Sequence, residues 1–362
     1  MKILFICDSL LSLEFGNPSR LYNIEQALRR FGICTDRIPS KKNLHWLFLG
    51  QNRIQNYLRR VYLLFCLIAY LSKKKVNCIY SIDFYMGLEA VVLAKLFRIK
   101  TVYDFGGYVY EEEIHRGHRW KPMVTKLLEK LCLENSTLIV TQTIPNKELL
   151  TNYHKKVLVL ENGVNLEEFR EPSPAKAILK QFSIPNDKPI VGFLGNWENW
   201  MKIEDLLNAA KYLDDVTVVV IGEGKGFRGF RTQFKNVYFT GRIPHRLAMG
   251  LLINFDICVS PYSKDKIMRH KQAMKTLEYL AAGKPIIVSD VIGKENFLKE
   301  GKNCLLYEPE NPVDLANKIT WLLQHKELKD QMGKKNKELA ETFSWERTLW
   351  RSGLVESLRE MK

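Results

Sequence analysis

Two side chains three residues apart, Lys275 and Glu278, could together hold an anionic ligand that also carries hydroxyl groups. They stand in AMKTLEYLAAGKPIIVSD, residues 273 to 290, where Met274, Leu277, Leu280 and Ala281 recur at helical spacing. Gly283 ends that run and Pro285 opens the aliphatic Ile286, Ile287 and Val288, so the pattern predicts a helix turning through glycine into a β-strand. The helix start at Met274, with Lys275 and Thr276 in the first turn, offers unpaired amides and a cation, an anion site suited to a diphosphate. Glu278 follows one turn on, about 5 Å along the axis, where its carboxylate could accept from two ribose hydroxyls. The polar segment SPYSKDKIMRHKQ, residues 260 to 272, keeps the helix start near water. On spacing alone the plainer account is favoured: an ordinary βα unit with Lys275 and Glu278 as a solvated i,i+3 pair.

The elements that must position these residues are visible as apolar runs alternating with helical segments. The first half carries KILFIC (2 to 7), NCIYSI (77 to 82), KTVYDF (100 to 105), TLIVTQ (137 to 142) and VLVLEN (157 to 162). The second carries PIVGFLG (189 to 195), VTVVVIG (216 to 222), VYFTG (237 to 241), DICVSP (256 to 261), PIIVSD (285 to 290) and CLLY (304 to 307). This order predicts an α/β chain of two doubly wound parallel sheets. Ligands of such sheets bind beyond the carboxyl ends of the strands, so the site is expected in a cleft between the two. The segment NGVNLEEFREPSP, residues 162 to 174, contains the turn formers Asn162 and Gly163 and the helix breakers Pro172 and Pro174. It divides the chain into expected domains at 1–165 and 166–342. In residues 342 to 362, Trp345, Leu349, Leu354 and Leu358 share a helical face.

The 362 residues are enough for two cores, and the 46% hydrophobic content is that of a globular protein. The 55 Lys and Arg against 40 Asp and Glu give a net charge of +15, pointing to a polyanionic partner or an anionic membrane face. No nucleic-acid module signature is present, and nucleic acid is not an expected partner. The seven cysteines are scattered and never C-x-x-C, as expected for buried free thiols in a reducing compartment. MKILFICDS reads as a strand rather than a signal peptide, and no apolar run approaches the length of a spanning helix. A cytoplasmic protein follows, with a peripheral position on the inner membrane face open to it. Residues 37 to 82 contain nine basic and no acidic residues, and Val61 to Leu71 is uninterruptedly apolar between Arg59, Arg60 and Lys73, Lys74, Lys75. Residues 53–75 therefore read equally as an interfacial helix, each cation near anionic lipid contributing about 1 kcal/mol, or as a core helix with solvated flanks.

The array K-x-x-E-x-x-A-x-G-x-P, from Lys275 to Pro285, resembles the nucleotide-sugar segment of glycosyltransferase family 4. That is a large retaining group with the GT-B fold, two Rossmann-like domains facing a central cleft. The resemblance runs through most of the second half and more faintly through the first. It implies the diphosphate and ribose roles for Lys275 and Glu278, with Met274 and Thr276 beside them. GNWENWMKIEDLL, residues 195 to 207, resembles the family's G-R-L-x-x-x-K-G, with Lys202 in the lysine position and Asn196 where the arginine stands. A solvated lysine near a helix start is the plain account of Lys202. Gly222 and Gly224 match the donor-side G-x-G, although a tight turn explains them equally. Arg242 and Ile243 in TGRIPHR match the segment facing the base, and Gly16 in SLEFGNPSR matches the glycine loop beside the diphosphate. Asp104 occupies the position of a residue facing the sugar and reaction centre, with a capping or turn aspartate as the equal alternative. His270 stands where the family has its first glutamate, with Lys271 and Asp265 as possible substitutes, and a plain loop histidine is at least as good a reading. Glu111, Glu112, Glu113, His115 and His118 form a polar loop open to solvent or to an acceptor. The last helix, 343–362, is expected to cross back onto the first domain.

The resemblance implies a glycosyltransferase moving a sugar from a UDP- or GDP-sugar to an acceptor hydroxyl, retaining, without cofactor. Metal independence is expected too, since the chain has no D-x-D triplet and no His/Cys cluster at ligand spacing. The basic apolar segment suggests a lipid-linked saccharide acceptor in surface glycan synthesis. A GT-B nucleotide-sugar 2-epimerase and a non-enzymatic polyanion-binding protein are the alternatives.

Overall fold

The computed structural model describes residues 1–6, 16–38, 53–82, 84–115, 117–170, 175–197, 201–224, 226, 229, 233–264, 272–291 and 295–361. Cys7, Lys41, Lys42, Pro172, Pro174, Asp265, His270 and Lys271 lie outside the described residues. The chain forms two compact units, Met1–Asn162 with Trp345–Lys362, and Gly163–Ser344.

The N-terminal unit opens with β1 (Lys2–Ile6), α1 (Gly16–Arg30), β2 (Cys34–Ile38) and α2 (Arg53–Lys73). It continues through β3 (Cys78–Ile82), α3 (Phe84–Phe97), β4 (Lys100–Phe105), α4 (Val109–His115) and α5 (Lys121–Asn135), then β5 (Leu138–Thr141), α6 (Ile144–Leu150) and β6 (Val157–Val159). The six strands are parallel in the order β2-β1-β3-β4-β5-β6. Right-handed crossovers put α1 on one face of this sheet and α2, α3 and α5 on the other. Leu4, Ile6 and Ile79 of the sheet pack with Leu67 and Leu71 of α2 and Met86 and Ala90 of α3. In α2, Leu63, Leu67 and Leu71 recur every fourth residue and are buried, so one stripe of this apolar helix belongs to the core. Its outward side still exposes Phe65, 67% accessible. The edge strand β2, CTDRI, is half polar and was not visible as an apolar run; Cys34 there is exposed, while Cys78, Cys132, Cys258 and Cys304 are buried free thiols.

In the C-terminal unit α7 (Ala175–Gln181) precedes β7 (Ile190–Leu194), α8 (Ile203–Ala209), β8 (Thr217–Ile221), β9 (Val237–Gly241), α9 (His245–Leu252) and β10 (Ile257–Ser260). Then come α10 (Met274–Ala281), β11 (Ile286–Ser289), β12 (Cys304–Tyr307), α11 (Pro312–Gln324) and α12 (Lys326–Ala340). The strand order β12-β11-β10-β7-β8-β9 reverses direction between β7 and β10, which makes that gap the topological switch point of this sheet. β7, β8, β10 and β11 are buried along their whole length, the reason each reads as a continuous apolar run. Gly283 ends α10 at φ +65°, a conformation glycine adopts without steric cost. Tyr279 fixes α10 beneath the switch point: its hydroxyl accepts from the Leu194 amide at 2.8 Å and donates to the Val259 carbonyl at 3.4 Å.

Residues 345–361 close the N-terminal unit as α13 (Trp345–Ser352) and α14 (Leu354–Arg359), with α13 packed on α1. Trp345, Leu349, Leu354 and Leu358 are all buried there. Arg30 pairs with Glu346, and Arg351 pairs with Glu161 at 2.6 Å.

Candidate functional site

The first turn of α10 lies next to the switch point. Ala273 takes the N-cap position in extended conformation, and its methyl group cannot accept a hydrogen bond from the first-turn amides. A buried carboxylate braces the helix from the core side: Glu295 Oε1 accepts from the Ala273 amide at 3.3 Å, the Thr276 hydroxyl at 2.9 Å and the Tyr262 hydroxyl at 2.9 Å. Burial raises the Glu295 pKa against those hydrogen bonds. Thr276 is wholly buried, with its hydroxyl in this network.

Lys275 points the other way, onto the end of β7. Its amine sits 4.3 Å from the centroid of the Phe193 ring and 3.6 Å from the Met201 sulfur. A Cβ placed on Gly195 would lie 3.7 Å from the same nitrogen. Among the described residues no carboxylate forms an ion pair with it. Burial pushes the amine down to about 7, with Glu295 and Glu278 opposing from a distance. A half-buried amine on the first turn of a helix is chemically suited to an anion.

Glu278 is held by a histidine that spacing alone did not reveal. His245, the first residue of α9, lies 3.0 Å through Nε2 from Glu278 Oε1 and 3.2 Å through Nδ1 from Glu168 Oε2. Burial works against charge on the ring, but hydrogen bonds to Glu168 and then Glu278 outweigh it and push His245 up to about 10. The imidazolium donates from both nitrogens, holding Glu278 through Oε1 while its Oε2 makes no hydrogen bond among the described residues. The only signal in the sequence was a histidine directly after Arg-Ile-Pro; its partner Glu168 lies in the interdomain segment.

The strand ends around this pair explain the glycines. Gly222 has φ +114°, and a Cβ there would come within 2.4 Å of the Gly195 carbonyl oxygen. At Gly224 a Cβ would meet the Trp197 carbonyl oxygen at 2.3 Å. Both glycines thus let the loops after β7 and β8 run in contact, joined by Gly195 N to Ile221 O at 2.9 Å and Trp197 N to Glu223 O at 3.4 Å, while Gly222 N bonds Gly241 O at the end of β9 at 3.0 Å. Asn196 is exposed and its side-chain oxygen accepts from the Glu223 amide at 3.4 Å. Lys202 is the N-cap residue of α8; its backbone amide bonds Pro261 O at 2.7 Å and its amine lies 3.7 Å from Glu310. The neighbouring Met201, whose sulfur touches Lys275, pairs with Tyr262. Arg242 is exposed and paired with Glu223 at 3.4 Å, and Ile243 packs partly buried against the core.

In the N-terminal unit Asp104 sits near the carboxyl end of β4 and is fully buried. Arg20 donates to both its oxygens, at 3.0 and 3.2 Å, and Tyr80 adds a hydroxyl at 2.8 Å. The remaining donors of Arg20 reach Asn162 and the Leu160 carbonyl, both at 2.8 Å. Asp104 thus ties β4 to α1 and, through Arg20, to the end of the unit. Gly16 opens α1.

With this geometry in place, residues 175–339 match the family model for glycosyl transferases group 1. Over that region, a little under half of the chain, the sequence carries the pattern of that family. The chain is 28% identical over 215 residues to an uncharacterized glycosyltransferase of Methanocaldococcus jannaschii, covering 58% of the chain and 56% of that protein. It is 24% identical over 253 residues to the D-inositol 3-phosphate glycosyltransferase of Geodermatophilus obscurus, covering 64% of the chain and 55% of the relative. The alignments thus span only a little over half the length of these curated relatives. Its fold matches sucrose-phosphate synthase from Thermosynechococcus elongatus over 100% of both chains, with a TM-score of 0.80 at 19% identity. Anabaena HepE in complex with UDP-glucose matches over 99% of this chain and 100% of that one, with a TM-score of 0.75 at 14% identity. The chain therefore has the GT-B fold.

Proposed function

We propose that the protein transfers a sugar from a nucleotide-diphosphate sugar to an acceptor hydroxyl. The observation that carries this reading is the Lys275 amine: desolvated, without a carboxylate partner among the described residues, and set beside the uncapped start of α10 at the switch point. In the reaction the bond between the sugar's anomeric carbon and the diphosphate oxygen breaks, and a bond from that carbon to the acceptor oxygen forms. The acceptor's proton leaves and negative charge collects on the diphosphate. Helix amides and Lys275 meet that charge, and Lys202 adds a second cation nearby, so the leaving group is stabilised most when its charge is greatest. Glu278 accepts from the ribose hydroxyls through the oxygen that His245 leaves open. Uridine is the favoured base because HepE, of the same fold, is described in complex with UDP and with UDP-glucose.

Retention of configuration, transfer without metal or cofactor, and a lipid-linked saccharide acceptor in surface glycan synthesis are part of this proposal and rest on the family resemblance and the basic apolar surface. Alanine at Lys275 and at Glu278 should each cut transfer from the nucleotide-sugar at least 10-fold, about 1.4 kcal/mol or more of transition-state stabilisation. Activity within twofold of the parent for both variants would refute the assignment.

A further inference from the structure

The helical layer on one face of the N-terminal sheet presents far more apolar surface to solvent than any part of the C-terminal unit. Phe65 of α2, Leu96 of α3 and Met123 and Leu127 of α5 are 67%, 69%, 70% and 61% exposed, and Trp120 at the start of α5 is 80% exposed. The exposed large apolar residues described in the C-terminal unit are Tyr212, Val313 and Trp321. The N-terminal ones are not scattered. Right-handed crossovers put α2, α3 and α5 on the same face, and α3 packs against both its neighbours. Helix α5 is apolar on two sides: Cys132 and Leu133 are buried, while Met123, Val124, Leu127 and Leu131 face outward. A helix on the surface of a water-soluble unit is expected to show one apolar stripe and a polar back.

The charges interleaved with this surface are mainly positive. Lys74, Lys75, Lys95, Lys121, Lys126 and Lys130 are exposed on or beside it. Lys130 lies 3.6 Å from Glu134, and Lys121 lies 3.7 Å from Glu113. Between α4 and α5 an apolar groove of about 240 Å³ opens onto the patch, lined by Tyr108, Tyr110, Tyr153, Met123 and Leu127, with Lys126 at its side 5.3 Å from the Tyr110 ring.

We propose that this face, centred on α5, docks on an anionic lipid bilayer, its apolar side chains entering the acyl boundary and its lysines meeting headgroup phosphates. A second copy is the poorer occupant, because a two-fold contact would bring lysine-bearing faces together, and a neutral apolar partner would bury the lysines without counter-charge. No described helix is long and apolar enough to cross a membrane, so the contact is interfacial. The stripe of α2 that reads as most membrane-like, Leu63, Leu67 and Leu71, is already in the core, which moves the centre of the contact from residues 53–75 to α5. Vesicle binding needs neither donor nor acceptor, so this inference stands or falls apart from the transfer reaction.

The test is co-sedimentation of the full chain with large unilamellar vesicles of phosphatidylcholine alone or with 30 mol% (about one lipid in three) phosphatidylglycerol, at low salt. The parent should bind the anionic vesicles at least 10-fold more tightly than the neutral ones. Met123→Ser with Leu127→Ser, and separately Lys126→Glu with Lys130→Glu, should each weaken that binding at least 10-fold while leaving the melting temperature within two or so degrees of the parent. Because all four side chains are exposed, unchanged melting separates loss of docking from loss of folding. Parent binding equal on both vesicle types, undiminished binding by both double variants, or a parent dimer that Met123→Ser with Leu127→Ser converts to monomer would each overturn the proposal.

Discussion

Two charged clusters sit at strand ends in this molecule, and they differ in one respect. Around Asp104 in the N-terminal unit, a guanidinium, a tyrosine hydroxyl, an asparagine and a carbonyl satisfy one another completely. Around Lys275 and Glu278 in the C-terminal unit, an amine has only a sulfur and an aromatic ring for contacts, the N-cap side chain makes no bond to the helix amides, and one carboxylate oxygen has no hydrogen bond among the described residues. Position at the carboxyl end of a strand is therefore not what marks a ligand-binding residue. What marks it is a polar group carried out of water at a cost that the protein itself does not offset.

The sharpest way to break the comparison is to open the closed cluster. Arg20→Ala leaves the Asp104 carboxylate buried without its cation and should destabilise the protein by about 3–5 kcal/mol, measured by urea unfolding. Lys275→Ala should instead leave stability unchanged or raised, because it removes a desolvated charge. Should the two variants be equally destabilising, the distinction between a closed and an open cluster would be wrong. Gly222→Ala comes next: a methyl group at φ +114° against the Gly195 carbonyl should cost roughly 2–3 kcal/mol and weaken nucleotide binding together with stability.

A subtler effect separates the two charged groups of the open cluster by pH. The Lys275 amine is depressed to about 7 in the folded state from its ordinary 10.5, so between those values the unfolded chain binds more protons and this group makes stability rise with pH. His245 is raised to about 10 from 6.5, so its contribution is complete below 6.5 and is lost as pH rises through 10. Over pH 7 to 10 the two slopes oppose each other. Thermal melts should show stability falling more steeply with pH in Lys275→Met and rising more steeply in His245→Gln than in the parent. The same slope in all three proteins would remove both assignments.

How much of this was legible follows from the reach of each signal. The six strands of the C-terminal sheet were visible because most are buried on both faces and write themselves as apolar runs. β2 was not, because an edge strand such as CTDRI is half solvated and mixes charge with apolar residues. The apolar run in α2 was plain, but which stripe of it faces the sheet depends on Leu4, Ile6 and Ile79 far away in sequence. Spacing within one helix brought Lys275 and Glu278 together. It could not report that His245, 33 residues upstream, holds Glu278, or that Arg20, 84 residues before Asp104, closes over that carboxylate. The division is between contacts inside one element, which periodicity encodes, and contacts between elements, which only the packed chain contains.

The most direct test is calorimetric titration of UDP into the parent and into Lys275→Ala between pH 6.5 and 9.5. If a diphosphate binds against the protonated Lys275 amine, the parent's Kd should weaken by up to about tenfold per pH unit above 7 while the variant binds weakly with little pH dependence beyond that of the solvent. A parent Kd flat across this range, or the same slope in both proteins, would contradict the account.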